Sequence, residues 1–158
     1  MAITEELTKL GLSARRLRDG ADDLDDVVAQ IDRTLGALHL GFHYLHPRPL
    51  QETTVVSGDG KRVIEVAYLG FLPFQQEHHL VVKTVKILES KAAMSPDNSG
   101  SVTPLLLAPR SLRHAAVDVL PEMVQAITRQ LDDLADAVDR RREAAREALD
   151  ELQRRQGE

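Results

Sequence analysis

Apolar residues recur at alternating steps of three and four at both ends of the chain. The first series consists of Ile3, Leu7, Leu10, Ala14, Leu17, Ala21, Leu24, Val28, Ile31, Leu35 and Leu38. The second series, in which only Arg141 is polar, consists of Val117, Leu120, Val124, Ile127, Leu131, Leu134, Val138, Arg141, Ala145, Ala148 and Leu152. A repeat sustained over about five heptads is typical of a coiled coil. It predicts an N-terminal helix over residues 3–40 and a C-terminal helix over residues 110–156.

The two series fit each other as an antiparallel pair in which paired residue numbers sum to 155. Leu7 then lies opposite Ala148, and Ala21 lies opposite Leu134. Small residues opposite large ones allow a core to reach native packing density. The pattern therefore predicts a long antiparallel helical hairpin, and pairing of the same helices between chains is the alternative.

The middle of the chain changes from helical spacing to β-type composition. Residues 53–57, 62–69 and 80–88 are rich in valine, isoleucine and threonine, and the Gly-Asp-Gly sequence at 58–60 marks a turn. We therefore predict an α+β fold, α-β-β-β-α, with a small three-stranded antiparallel β-head at 50–90. Residues 91–108 are predicted to form a flexible linker, and the whole chain, 1–158, a single domain.

An apolar stretch follows the second predicted strand. Residues 70–74 read Gly-Phe-Leu-Pro-Phe, where a connection between strands is usually polar. We interpret the stretch as a loop folded over the sheet, or as a docking site for a partner that uses Phe71, Leu72 and Phe74.

One flank of the predicted helix pair is also small and apolar. Its members include Gly20, Val27, Met123, Ala137 and Ala144. Because charged residues usually occupy such flanks in a two-stranded coiled coil, we expect this flank to be buried against a further surface. Homodimerisation into a four-helix bundle is the first hypothesis, a different protein partner the second, and the β-head the third.

Charge and composition exclude several classes of function. The formal net charge is −5, and none of the three regions 1–40, 41–108 and 109–158 has a net positive charge, so nucleic-acid binding is not expected. The chain has no cysteine, which fits a reducing compartment. The N-terminus does not resemble a signal peptide, and no run of 18 apolar residues occurs, so we expect no membrane association and a cytoplasmic location.

Histidines provide the only candidate chemistry. His39, His43 and His46 have the spacing i, i+4, i+7, which on a continuous helix could form a zinc site. Gly41 and Pro47 oppose a continuous helix here, so packing at the junction is the expected role. No catalytic or nucleotide-binding motif occurs, and we predict no catalytic residue, cofactor or metal.

The most regular pattern in the sequence is thus the apolar repeat that predicts helix pairing. We expect a non-enzymatic protein–protein interaction module, an adaptor, structural subunit or small regulatory partner, that assembles through its helices and presents the β-head. The order of elements resembles that of prefoldin subunits, in which two coiled-coil helices flank β-hairpins. This resemblance implies a holdase chaperone as the alternative function, and a histidine-dependent metal-binding protein is the second alternative.

Overall fold

A computed structural model describes residues 2–56, 58, 60–88 and 100–158. The elements are α1 (Ala2–Ala37), β1 (Tyr44–Val56), β2 (Arg62–Phe74), β3 (Glu77–Leu88), β4 (Ser101–Pro104), a 3₁₀ turn (Leu105–Leu107) and α2 (Arg110–Gln156). The strands form one antiparallel sheet in the order β1-β2-β3-β4. Two helices and an antiparallel sheet confirm the predicted α+β class.

The chain divides into two compact units, and the boundary lies within α2. The first unit ends at Val119 and the second begins at Leu120. Helix α2 continues through Pro121 without a break in its helical assignment.

Helix α1 ends before the predicted residue 40. Its last turn is closed by 3₁₀-type bonds from the Leu38 and His39 amides to the carbonyls of Leu35 and Gly36. His39 then adopts the left-handed conformation, with φ of 48°. A left-handed residue after the last turn is a common helix terminator, so the helix stops before Pro47 is reached.

The three predicted strands are present and longer than expected. Strands β1 and β2 form a hairpin that pairs Val56 with Arg62, and β3 pairs with β2 from Val63 to Phe74. The prolines at 47 and 49 lie inside β1, which is an edge strand, and the β1 register shifts on both sides of Pro49. Edge strands tolerate proline because one side of the ladder needs no donor.

Residues 70–74 do not form the predicted connection, because they continue β2. The connection between β2 and β3 is the two-residue turn Gln75-Gln76, which joins Phe74 to its partner Glu77. Strand β1 pairs with β2 only as far as Phe71, so the missing N–H of Pro73 can fall on the unpaired side of β2. The proline that suggested a loop is therefore compatible with a strand.

The sheet has four strands, and the prediction of three was wrong. Within the predicted linker, residues 101–104 pair with Val81 to Thr84 of β3. A four-residue strand of ordinary composition gives no periodic signal, which is why the sequence did not reveal it. Residues 91–99 of the predicted linker lie outside the described residues, and Leu105–Leu107 form the 3₁₀ turn.

The core of the first unit lies where the middle of the sheet meets α1 and the 3₁₀ turn. Leu69, Phe71, Leu80, Val81 and Leu105 are all buried to 2% exposure or less. Helix α1 packs against β3 and the 3₁₀ turn. Its buried residues, Ala21, Val28 and Leu35, are seven positions apart, so a single face of the helix enters the core.

Candidate protein-interaction surface

The N-terminal half of α1 leaves its apolar series uncovered. Ile3, Leu7, Leu10 and Leu17, which we call the α1 stripe, are between 58 and 76% exposed. Leu7 occupies the same heptad position as the buried Ala21, Val28 and Leu35. Ile3, Leu10 and Leu17 occupy the second position of the 3,4 series, at which Leu24 and Ile31 are half-buried. Four large aliphatic side chains aligned on one helix face form an apolar patch of the kind that marks an interaction site.

An open apolar groove lies where the α1 stripe enters the fold. It has a volume of about 450 Å³, and Leu17, Gly20, Ala21 and Leu24 line it together with Ser13, Arg16 and His114. A Cβ atom added to Gly20 would meet no other atom within 4 Å. The groove is therefore open above Gly20, and the absence of a side chain there leaves room for a partner's side chain.

Helix α2 carries an exposed series in the second unit. Leu134, Val138 and Leu152 are 46, 57 and 61% exposed. These residues belong to the heptad series that the sequence predicted. We call Leu131, Leu134 and Val138 the α2 stripe, of which Leu131 is half-buried.

The predicted contact residues fall into different environments. Gly20 lines the groove, Val27 is 43% exposed, Ala137 is half-buried and Ala144 is exposed. Met123 is fully buried, so its side chain is not presented to a partner.

The aromatic part of the predicted docking site is also largely internal. Phe71 is 1% exposed and belongs to the core, whereas Leu72 and Phe74 are half-buried. Burial of Phe71 follows from the continuation of β2, which turns this residue toward the interior.

A second cavity, which we call the histidine cleft, lies between the end of α1 and the β2–β3 turn. It has a volume of about 530 Å³, and its lining includes His39, Phe71, Glu77, His78 and His79. His78 stacks on Phe71 with a ring-centroid distance of 5.6 Å. His78 also forms a hydrogen bond with His43. Its Nε2 lies 3.1 Å from Nδ1 of His43, and one of the two nitrogens donates while the other accepts.

Asp32 joins α1 to the sheet beside this cleft. Its Oδ2 accepts a hydrogen bond from Nδ1 of His79 at 2.8 Å, and its Oδ1 accepts one from the backbone N–H of Leu80 at 2.6 Å. Strand β4 pairs with β3 only from Val81 onward, so Leu80 lies just beyond its end. The carboxylate of Asp32 supplies the acceptor that a longer β4 would have provided.

The helical arrangement that a zinc site at His39, His43 and His46 would require does not form. Helix α1 ends at Ala37, and His46 lies in β1 with 6% exposure, where its Nδ1 is 3.1 Å from the Tyr44 hydroxyl. Burial raises the pKa of the Tyr44 phenol above its ordinary value. Among the described residues, no group of three or more His, Asp or Glu side chains could hold a metal ion.

A charged contact connects the start of α2 to α1 within the first unit. Arg113 Nε lies 3.2 Å from Oδ1 of Asp25, in ion-pair range but without hydrogen-bond geometry, and Nη1 donates to the Ala108 carbonyl at 2.6 Å. Sequence spacing does not reveal this pair or the pair of Asp32 with His79, because their members are 88 and 47 residues apart.

Comparison with known proteins gives no relative from which a function could be transferred. No family model, curated protein or solved structure matches the chain. In the part of the chain that the structure describes, neither helix combines the length and apolar character needed to cross a membrane. The α+β architecture and the exposed helix faces are therefore the basis for the function proposed below.

Proposed function

We propose that this protein is a non-catalytic interaction module that self-associates through coiled-coil pairing of its helices and presents the four-stranded sheet to a further protein. The observation that carries this proposal is the α1 stripe, whose heptad series is continuous with core positions yet is exposed at Leu7, Leu10 and Leu17. Aliphatic residues at strict heptad positions on a helix are suited to packing against another helix.

The energy available from the α1 stripe indicates that more than one stripe takes part. Burying the exposed part of Ile3, Leu7, Leu10 and Leu17 contributes about 1–2 kcal/mol each, or about 4–8 kcal/mol per copy. Association of two proteins costs about 4–15 kcal/mol in lost freedom. The α1 stripes of two copies together contribute about 8–16 kcal/mol, which only just covers that cost at its upper end, and the α2 stripes add the surplus that a stable dimer needs.

The proposed pairing is antiparallel, either as a hairpin within one chain or between two chains. Both arrangements use the same heptad positions of α1 and α2, so the test must measure association as well as helix pairing. In either arrangement the sheet takes no part in the helix pairing, because its central residues are buried in the core of the first unit.

The test is the molar mass of the purified protein, measured by size-exclusion chromatography with light scattering over a concentration series. We expect a dimer for the wild type and a monomer for Leu10→Asp, since a charge at a stripe position would be buried without a partner. Leu12→Asp is the matched control, because Leu12 is as exposed as Leu10, 61 against 63%, but lies outside the heptad series.

A wild-type monomer at every concentration would contradict self-association, and so would equal effects of the two variants. Circular dichroism melting of each variant shows whether the fold is retained. The apolar groove and stripe also suit a holdase, which would bind unfolded clients on these surfaces. A monomer that suppresses aggregation of a denatured client protein, with loss of this activity in Leu10→Asp, would support that alternative.

A further inference from the structure

The two exposed stripes lie on helix segments of opposite charge. Residues 7–18 of α1 contain four basic residues and no acidic one, a formal charge of +4: Lys9, Arg15, Arg16 and Arg18. Residues 131–139 of α2 contain four acidic residues and no basic one, a formal charge of −4: Asp132, Asp133, Asp136 and Asp139. Each segment therefore combines an apolar face with a uniform charge, and the two charges are complementary.

The charges discriminate between registers of the antiparallel pair. When paired residue numbers sum to 155, the +4 segment 7–18 lies beside residues 137–148, whose formal charge is +1. A shift of one heptad gives a sum of 148 and places the same segment beside residues 130–141, which contain the −4 segment 131–139 and have a formal charge of −2. Lys9, Arg15, Arg16, Asp132, Asp133 and Asp139 occupy positions away from the seam, so the two segments attract each other as wholes and not through residue-to-residue ion pairs.

The shifted register also keeps an apolar seam. Leu10 lies opposite Val138, and Leu17 opposite Leu131. Ala14 lies opposite Leu134, so a small residue still faces a large one. Leu7 lies opposite Arg141, whose aliphatic stem can cover it while the guanidinium reaches water.

We infer that the α1 stripe of one copy is occupied by the acidic segment 131–139 of α2 from a second copy, antiparallel, with paired numbers that sum to 148. This inference rests on the proposed self-association and names its surfaces. The α1 stripe is exposed, and so are Leu134 and Val138, so each surface is available to a second copy.

The ionic contribution comes from charges at exposed positions. Single exposed ion pairs are weak, and salt screens them beyond about 10 Å at 0.1 M. Acting together, the opposed segments are expected to change the dimer dissociation constant about tenfold when one segment is reversed in charge. The apolar seam provides the remaining affinity, so high salt weakens the dimer without abolishing it.

The first experiment traps the register. The chain has no cysteine, so single cysteines can be introduced without background. A Val138→Cys copy is mixed with a Leu10→Cys copy of different tag length and oxidised, which makes any mixed disulfide a link between copies. The matched control replaces Leu10→Cys by Leu17→Cys, because Leu17 faces Val138 when the sum is 155.

The second experiment exchanges charges. Arg15→Glu with Arg16→Glu in one copy, or Asp132→Arg with Asp133→Arg in another, should each weaken self-association about tenfold, and mixing the two variants should restore it. Both are measured by light scattering in low and high salt.

The outcomes of the two experiments support or overturn the inference as follows. A dominant Leu10→Cys to Val138→Cys link and recovery on mixing support the inference. A dominant Leu17→Cys to Val138→Cys link overturns the register. If the wild type is a dimer and neither pair of cysteine variants forms a link, the whole inference is overturned; self-association stands in both cases. A wild-type monomer refutes the proposed function and this inference together.

Discussion

Replacing Asp32 by alanine tests how α1 is fastened to the sheet. The carboxylate accepts two hydrogen bonds, one from His79 at 2.8 Å and one from the Leu80 amide at 2.6 Å. Leu80 is 2% exposed, so water cannot readily replace the acceptor that its N–H loses. An unsatisfied buried donor costs about 1–3 kcal/mol, and a hydrogen bond to a charged group contributes about 1.5–3 kcal/mol.

The two terms overlap, because both describe the same carboxylate, and His79 is partly exposed and can find water. We therefore expect Asp32→Ala to lower the free energy of unfolding by about 2–4 kcal/mol. Asp32→Asn keeps an oxygen for the buried Leu80 amide and places an NH2 donor where Oδ2 accepted from His79, which is partly exposed, so its cost should be about 1 kcal/mol.

The assay is urea denaturation followed by circular dichroism, with protein concentration held constant because association also adds stability. Asp23→Ala is the matched control, since Asp23 is an exposed aspartate of the same helix and should change stability by less than about 0.5 kcal/mol. Equal losses for Asp32→Ala and Asp23→Ala would refute the proposed fastening.

Three further tests concern local features. Gln75 and Gln76 have φ of 50° and 75°, so changing them to Asn-Gly should raise the free energy of unfolding by about 1 kcal/mol, measured by thermal melting, and no gain would contradict the strain argument. Gly100→Ala should destabilise by about 1–3 kcal/mol because its Cβ would overlap the Thr84 carbonyl, whereas Gly11→Ala, which meets no atom within 4 Å, should add up to about 1 kcal/mol through helix propensity. The pKa of the Tyr44 phenol is raised in the folded protein, so the unfolded chain loses this proton first and the free energy of unfolding falls as pH rises through the ordinary value of 10.0, then levels off above the folded pKa. Between about pH 9 and pH 11 the free energy of unfolding should therefore fall more for the wild type than for Tyr44→Phe. Equal decreases would count against burial of the phenol.

The helices and the main strands could be predicted because their apolar residues repeat with the period of the structure that buries them. The 3,4 spacing locates α1 and α2, and valine-rich runs separated by a Gly-Asp-Gly turn locate the β1–β2 hairpin. Strand β4 could not be predicted in this way. It has only four residues, and it exists because β3 offers an unpaired edge at Val81 to Thr84.

The histidine cleft was beyond prediction for a different reason. His43 and His78 are 35 residues apart, and Asp32 and His79 are 47 residues apart, so the fold alone brings them together. The helical spacing of His39, His43 and His46 suggested a shared face, but the left-handed conformation of His39 ends the helix before that face can form.

The α1 series shows what hydrophobic periodicity can and cannot establish. Ala21, Val28 and Leu35 occupy the same heptad positions as Leu7 and Ala14, yet the first three are buried in the chain's own core while Leu7 is 61% exposed. The apolar period indicates that this face of the helix is suited to burial, but which surface covers it is decided by the tertiary structure. The apolar series is buried in the core further along α1 and becomes exposed to solvent at Leu17. We therefore expect a further helix to pack against its exposed part. Charge then becomes the better guide to that helix, since the +4 segment at 7–18 and the −4 segment at 131–139 oppose each other only after the register moves by one heptad.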